Sequence, residues 1–335
     1  VKVLFLIQGW EVAASRYRVL QYLPYLKESG MEAEVTTYPQ TFSEHWAFFK
    51  SLPRYDIVFL QRKRLAGFRL WLLRRRANRI VYDFDDSVMY RNSTAQNPLS
   101  RTRRRRFARI LRASNGVIAG NDYLKKEAMK YNHTVEVIPS PIDIERYPPK
   151  SYNSKDEGVV LGWIGDHGSI HYLEKMRPIF DVLARKYPHV RLKIVCDTFF
   201  ECDRMEVIEK QWSSEDEVQD LQSFDIGLMP LMDDPWSWGK CGLKIVQYQG
   251  VGVPVVCTPV GINRDLVTDG ENGFWAKTPE EWIQKLSLMI EDRDLRMRMG
   301  ISGRQKVGEL FSLQNCAPRM YHFLRDVKGN EKGNQ

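Results

Sequence analysis

Short apolar runs alternate with longer segments in which apolar residues recur every three or four positions, and this alternation continues along nearly the whole chain. Residues 1–8 (VKVLFLIQ) form a run rich in β-branched residues that stops at Gly9, and residues 15–29 then carry apolar positions at helical spacing up to Gly30. Runs at 32–37, 55–60 (YDIVFL) and 79–84 (RIVYDF) predict further strands, with helical patterns at 43–51 and 67–77 between them. Two more runs, 116–119 and 135–139, extend the series. Strands that alternate with helices in this way predict a parallel sheet covered on both faces. Ligands of such sheets sit beyond the carboxyl ends of the strands, so the loops 9–15, 83–86 and 120–122 are expected to face a ligand.

A proline-rich, polar stretch at 139–156 (PSPIDIERYPPKSYNSKD) breaks the pattern and predicts a linker. A second α/β pattern follows. Strands are predicted at 159–164, 191–196, 226–230 and 253–258, and helices at 172–186, 216–223, 243–249 and 279–290. A last helical stretch covers 312–327, and 328–335 is polar enough to fray. The expected architecture is α/β, with two nucleotide-binding-like sheets: domain one at 1–150, domain two at 151–314, a terminal helix at 315–327 and a tail at 328–335. At 335 residues, 43% of them hydrophobic, the chain can fill two cores.

The five cysteines (Cys196, Cys202, Cys241, Cys257 and Cys316) show no CxxC spacing, and no signal segment precedes the first run. Both features lead us to expect a reducing, cytoplasmic compartment. No apolar run approaches the roughly 18 to 20 residues of a membrane span, which leaves a soluble protein or one that rests on a membrane surface. The net charge of +8 is concentrated in basic clusters at 62–64, 74–76 and 101–112 (RTRRRRFARILR). They read either as solvated helix faces or as an attraction to an anionic membrane through Arg62, Arg74, Arg103, Arg104, Arg105 and Arg106. Nucleic acid is the disfavoured partner, because neither an aromatic stacking platform nor a reading motif accompanies the arginines.

Candidate chemistry concentrates at 240–256 (KCGLKIVQYQGVGVPVV), a glycine turn, a short helix and a buried strand. Gly239 and Gly242 leave the backbone open at the turn, and Lys240 and Lys244 add charge. A helix N-terminus so placed attracts phosphate; the alternative is a plain connection with solvated lysines. DFDD at 83–86 reads as a metal site, as helix-capping aspartates, or as a ligand-facing pair in which Asp85 or Asp86 binds acceptor or donor hydroxyls. His167 and His171, four apart with a glycine and a serine between them, read as surface residues. Trp236 and Trp238 line a sugar pocket or simply pack.

These residues also carry a resemblance. DIGLMPL (225–231), GLKIVQYQGVGVPVV (242–256) and TPVGINRDLVTDGENGFW (258–275) resemble, in order and spacing, the donor domain of the retaining glycosyltransferases of family 4, and GWIG (162–165), SRYRV and VIPSPID add to the likeness. The resemblance implies the GT-B fold: two Rossmann-like domains facing each other across a cleft, acceptor side first and donor side second, with the C-terminal helix crossing back to the first domain. It implies a hexosyl- or related transferase taking sugar from a nucleoside-diphosphate sugar, with no other cofactor and no metal, and with Lys240 and Lys244 neutralising the diphosphate. The donor would lie against Gly165, Asp166, Gly239, Cys241, Gly242, Leu243, Lys244, Ile245 and Gln247, with Lys244, Lys240, Gln247 and Asp85 as the groups acting on the reaction. The family's paired glutamates fall on Gly239 and Gln247, so an amide stands where a carboxylate is usual. The implied acceptor is a sugar, a small molecule, a polysaccharide or a lipid-linked molecule, the setting cell-surface glycan synthesis at the inner face of a membrane. A nucleotide-sugar-binding scaffold without transfer is the alternative; an epimerase on the same plan lacks recognisable acid and base residues.

Overall fold

The structure is a computed structural model and describes residues 1–152 and 158–329. The chain divides into two compact units. Unit 1 comprises Val1–Pro141, Asp234–Cys241 and the stretch from Leu313 onward; unit 2 comprises Ile142–Asp233 and Gly242–Ser312.

Unit 1 runs β1 (Lys2–Ile7), α1 (Ala13–Arg18), α2 (Leu23–Glu28), β2 (Glu32–Thr37), α3 (Phe42–Ser51), β3 (Ile57–Gln61), α4 (Gly67–Arg76), β4 (Ile80–Phe84), α5 (Arg101–Ala113), β5 (Gly116–Ala119), α6 (Asp122–Met129) and β6 (Val135–Val137). Among the described residues its sheet has six parallel strands in the order β2-β1-β3-β4-β5-β6. The two-residue period of a strand divides the core into two layers. Leu4, Leu6, Val58, Leu60, Tyr82 and Phe84 point to the face covered by α3, α4, α5 and α6. Val3, Phe5, Ile7, Ile57, Phe59 and Val81 point to the other, covered by α1, α2 and the terminal helix.

Unit 2 continues with β7 (Val159–Ile164), α7 (Ile170–Glu174), α8 (Arg177–Lys186), β8 (Val190–Cys196), β9 (Glu206–Gln211), α9 (Glu217–Gln222), β10 (Ile226–Met229), α10 (Leu243–Gly250), β11 (Val255–Cys257), α11 (Asn263–Leu266), β12 (Gly273–Trp275), α12 (Pro279–Glu291) and α13 (Arg293–Leu310). Among the described residues its sheet also has six parallel strands, in the order β12-β11-β10-β7-β8-β9. The last helix, α14 (Leu313–Gly329), returns to unit 1 and buries Cys316, Ala317, Met320, Leu324 and Val327 under its sheet. Ile142 and Ser312, the first and last residues of unit 2, form a bridge, and the Ile142 amide donates to the Phe311 carbonyl at 3.1 Å.

Several boundaries differ from those expected. The helix expected over 15–29 is broken at Val19 (φ −132°, ψ −62°), and α2 begins afresh with Pro24 in its first turn. The helix expected over 172–186 is likewise two, because Pro178 lacks the N–H that a helix interior needs and so opens α8. The stretch expected to link two domains is tied down as far as it is described. Lys150 Nζ lies 2.8 Å from Asp225, the Lys150 amide donates to Val251, and the Tyr152 hydroxyl donates to the Gly252 carbonyl at 2.7 Å, all inside unit 2. The remainder of that stretch, 153–156, and residues 330–335 of the expected tail lie outside the described residues; Lys328 and Gly329 are helical. Domain two is also not continuous in sequence, since 234–241 counts with unit 1.

Candidate functional site

In unit 2 the sheet reverses its direction of growth between β7 and β10, and the carboxyl ends of strands at such a switch point form a ligand crevice. Here β7 runs into Gly165 and Asp166. A Cβ on Gly165 would stand 2.2 Å from the Trp163 ring, so only glycine lets the chain turn here. Asp166 then closes a short turn, its carboxylate accepting from Ser169 Oγ at 3.0 Å and its carbonyl from the Ser169 amide at 2.9 Å.

The first turn of α10 meets this turn. Its N-cap is Gly242 at φ +65°, a left-handed conformation in which a Cβ would also stand 2.1 Å from Leu266 Cδ1. Glycine offers no capping side chain, and the N–H groups of a helix's first turn, with the positive end of its dipole, suit an anion. Lys244 rises from that turn, with its Nζ 3.5 Å from Ser169 Oγ and 5.3 Å from the centre of the Trp163 ring. Gly165, Asp166, Gly242, Leu243 and Lys244 are thus brought together, along with Ser169 and Trp163, which the sequence reading did not single out.

Other expected site residues are placed differently. The Ile245 side chain is fully buried in unit 2, because position 245 faces the sheet. Gln247 is 4% exposed, and its side-chain amide donates to the Tyr147 hydroxyl at 3.4 Å. That hydroxyl donates to Glu217 at 3.0 Å, and Trp212 Nε1 donates to the other Glu217 oxygen at 3.0 Å. A buried carboxylate therefore stands one hydrogen-bonded link from position 247. It begins α9, 30 residues ahead in the chain, and no spacing motif betrays it. At the β8 end, His167 Nδ1 meets Asp197 at 2.6 Å, and the hydrogen bond to that carboxylate raises the imidazole above its ordinary value.

Gly239, Lys240 and Cys241 belong to unit 1. There the segment 234–241 lies against the ends of β4 and β5, where Asn121 Nδ2 donates to the Lys240 carbonyl at 3.0 Å and Ser87 Oγ to the Pro235 carbonyl at 2.8 Å. A Cβ on Gly239 would meet Ser87 Oγ at 2.2 Å. Lys240 Nζ lies 3.1 Å from Asp86 and 5.1 Å from the Trp236 ring. The Cys241 side chain joins the unit 1 core, where burial, with Asp85 behind it, pushes the thiol well above its ordinary value. So Lys240 does not share a unit with Lys244.

Asp85 and Asp86 are engaged by Arg62 as well: its Nε bonds Asp85, and its Nη2 lies 2.8 Å from Asp86. Burial opposes the charge on Arg62, but the two carboxylates outweigh it and hold the guanidinium above its ordinary value. Arg62 is also the residue at φ +52°, a left-handed conformation rare for a long side chain. This places Arg62 in a charged cluster at the end of β3 and removes it from the basic surface expected of it. Below it, Arg18 bonds Asp83, and both side chains are wholly buried. Among the described residues no three His, Cys, Asp or Glu side chains converge as a metal site. At the β1/β3 switch point of unit 1, Gln8, Tyr38, Gln40, Gln61 and Lys63 line a small pocket.

Comparison with known proteins finds two glycosyltransferase family models along the chain. A model described as "Glycosyltransferase Family 4" matches residues 8–146, and one described as "Glycosyl transferases group 1" matches residues 204–306. Each model covers less than half of the chain, and both describe glycosyltransferases. The chain is also 26% identical over 115 residues to the D-inositol 3-phosphate glycosyltransferase of Corynebacterium urealyticum, a match spanning 34% of this chain and 26% of that protein. Among solved structures, Anabaena HepE in complex with UDP and glucose aligns with a TM-score of 0.72 and 18% identity over 96% of this chain and 99% of its own. Sucrose-phosphate synthase from Thermosynechococcus elongatus aligns with a TM-score of 0.74 and 15% identity over 98% and 99%. These likenesses show the fold, that of the GT-B glycosyltransferases, and the enzyme class is glycosyltransferase.

Proposed function

We propose that this chain is a retaining glycosyltransferase that moves a sugar from a nucleoside-diphosphate sugar to a sugar, small-molecule, polysaccharide or lipid-linked acceptor in cell-surface glycan synthesis at the inner face of a membrane, without metal or further cofactor. The observation that carries the reading is the meeting of the uncapped first turn of α10 with Lys244 and the Gly165–Asp166 turn at the unit 2 switch point. A diphosphate at that turn would receive backbone N–H donors, the positive end of the helix and one ammonium. As the bond to the anomeric carbon breaks, charge grows on the departing diphosphate, and donors already fixed in place stabilise it without reorganising. Lys244 and the α10 amides are those donors. The acceptor oxygen attacks from the side the diphosphate leaves, and the phosphate oxygen takes its proton, so no protein nucleophile is assigned.

UDP-glucose is the first donor to test, because HepE structures hold UDP and UDP-glucose. Calorimetric titration with UDP, followed by release of glucose from UDP-glucose in the presence of chelator, tests the reading. Binding with slow release supports it; binding restored only by magnesium or manganese would transfer the diphosphate's charge balance from Lys244 to a metal. One observation favours a second reading. At 247 a neutral amide, occupied with Tyr147, stands where the family has glutamate, which suits a binding protein without transfer. Such a protein would bind UDP yet neither transfer nor hydrolyse.

A further inference from the structure

Helices α3, α4 and α5 lie side by side on one face of the unit 1 sheet, α4 touching both neighbours. Their inner sides fill the core with Phe48, Phe49, Leu70, Leu73, Phe107 and Ile110. Their outer sides carry aromatic rings in the open: Phe42 is 88% exposed, Phe68 72%, Trp46 68% and Trp71 55%. On α4 the rings of Phe68 and Trp71 stack with centroids 5.8 Å apart, and Arg75, one further turn along, holds its guanidinium 5.7 Å from the Trp71 ring. Positions 68, 71 and 75 therefore form one ridge on the side opposite Leu70 and Leu73.

On α4 and α5 the charge is of one sign, while α3 carries Glu44 and Lys50. Every ionisable residue of α4 and α5 is an arginine, and Arg74, Arg75, Arg76, Arg104, Arg105 and Arg106 are exposed. Rings at this exposure call for a surface that excludes water, and the arginines around them call for anions. An anionic bilayer supplies both at the right depths, phosphates at the headgroup level and the acyl boundary just beneath, where indole rings settle. A nucleic acid would satisfy the arginines but not a ridge of rings on a helix crest, which offers no flat platform for bases.

We propose that the α3–α4–α5 face of unit 1 docks on an anionic lipid bilayer, Phe42, Trp46, Phe68 and Trp71 entering the headgroup layer and the arginines of α4 and α5 meeting lipid phosphates. The proposal rests on the reading of a transferase whose acceptor is held at a membrane, and it assigns the surface that reading requires.

The test is flotation of the full chain with vesicles of phosphatidylcholine alone and of phosphatidylcholine mixed with phosphatidylglycerol. The chain floats with the mixed vesicles and not with the neutral ones. Phe68→Ser with Trp71→Ser lowers the affinity about tenfold or more at any salt, whereas Arg74→Ala with Arg75→Ala and Arg76→Ala weakens it most at low salt. UDP binding by the same variants, unchanged, shows that they fold and that the donor site is separate. Flotation unaffected by both sets of substitutions overturns the proposal. So does a wild-type chain that self-associates in light scattering and becomes monomeric in the Phe68 and Trp71 variant with vesicle binding intact, since the face would then join two copies. A wild-type chain that floats but fails to bind any nucleotide leaves the docking surface standing and removes the transferase reading alone.

Discussion

Lys244 stands on the first turn of α10 with the Trp163 ring 5.3 Å below its ammonium, which limits where that charge can go and readies it for an anion at the turn. Lys244→Ala is expected to weaken UDP binding about tenfold to a hundredfold, the worth of a hydrogen bond to a charged group, while Lys126→Ala on α6 leaves it unchanged; titration calorimetry reads both. Arg62 poses a different problem. Holding a long side chain at φ +52° costs about 1 to 3 kcal/mol, and its pairs with Asp85 and Asp86 offset that strain. Arg62→Ala keeps the strain and leaves two buried carboxylates with the Lys240–Asp86 pair as the ion pair shown to remain, so it should lose about 3 kcal/mol, whereas Arg62→Gly loses the pairs but not the backbone fit and should lose less. The urea midpoints of the two variants order them. At the surface, the hydrogen bond to Asp197 raises the His167 pKa, and the one to His167 lowers that of Asp197. The His167 contribution is thus complete below its unfolded value and disappears as pH rises through the folded one; that of Asp197 disappears as pH falls. The pair is intact in the window between them, and an NMR titration should place the His167 midpoint above that of the Asp197→Asn variant.

At the scale of elements, helices and strands whose apolar residues recur regularly were legible, because each buries one stripe or both faces in a core that the spacing itself announces. The elements that escaped lack that signature. β9 (EVIEKQ) is an edge strand with charged residues on both faces, and β12 has three residues. α13 contains Gly300 and Gly303, which read as interruptions, yet both are there for close packing on α10. A Cβ at Gly300 would stand 1.9 Å from the Gly252 carbonyl oxygen, and one at Gly303 2.8 Å from Gln249. Gly300→Ala should therefore cost about 1 to 3 kcal/mol, against a gain in helix propensity of about 1 kcal/mol, a net loss visible in thermal unfolding. The candidate site was legible where its residues are neighbours in sequence, from Gly242 to Lys244, and illegible where it depends on distant ones. Nothing local to Lys240 shows that Asp86 will hold it, and nothing local to Gln247 shows Tyr147 and Glu217.

For the whole molecule, a nucleotide that binds the folded chain should raise its stability by about 2.7 kcal/mol at a hundred times the dissociation constant, so a thermal-shift series with nucleoside diphosphates would name the base. In sequence, meanwhile, unit 2 begins at Ile142 and ends at Ser312, the two residues of a β-bridge, and the stretches of unit 1 lie before, between and after its parts. The core of unit 1 takes Met320, Leu324 and Val327 from α14, which a ribosome makes after all of unit 2. At about 5 to 20 residues per second, roughly 9 to 34 s pass between the synthesis of Pro141 and the start of α14. During that interval the first-made unit waits with an apolar face uncovered while the second-made one already has its whole sequence. Birth order and completion order are therefore reversed, and a nascent chain arrested at Ser312 should present a folded unit 2 and a holdase-binding unit 1.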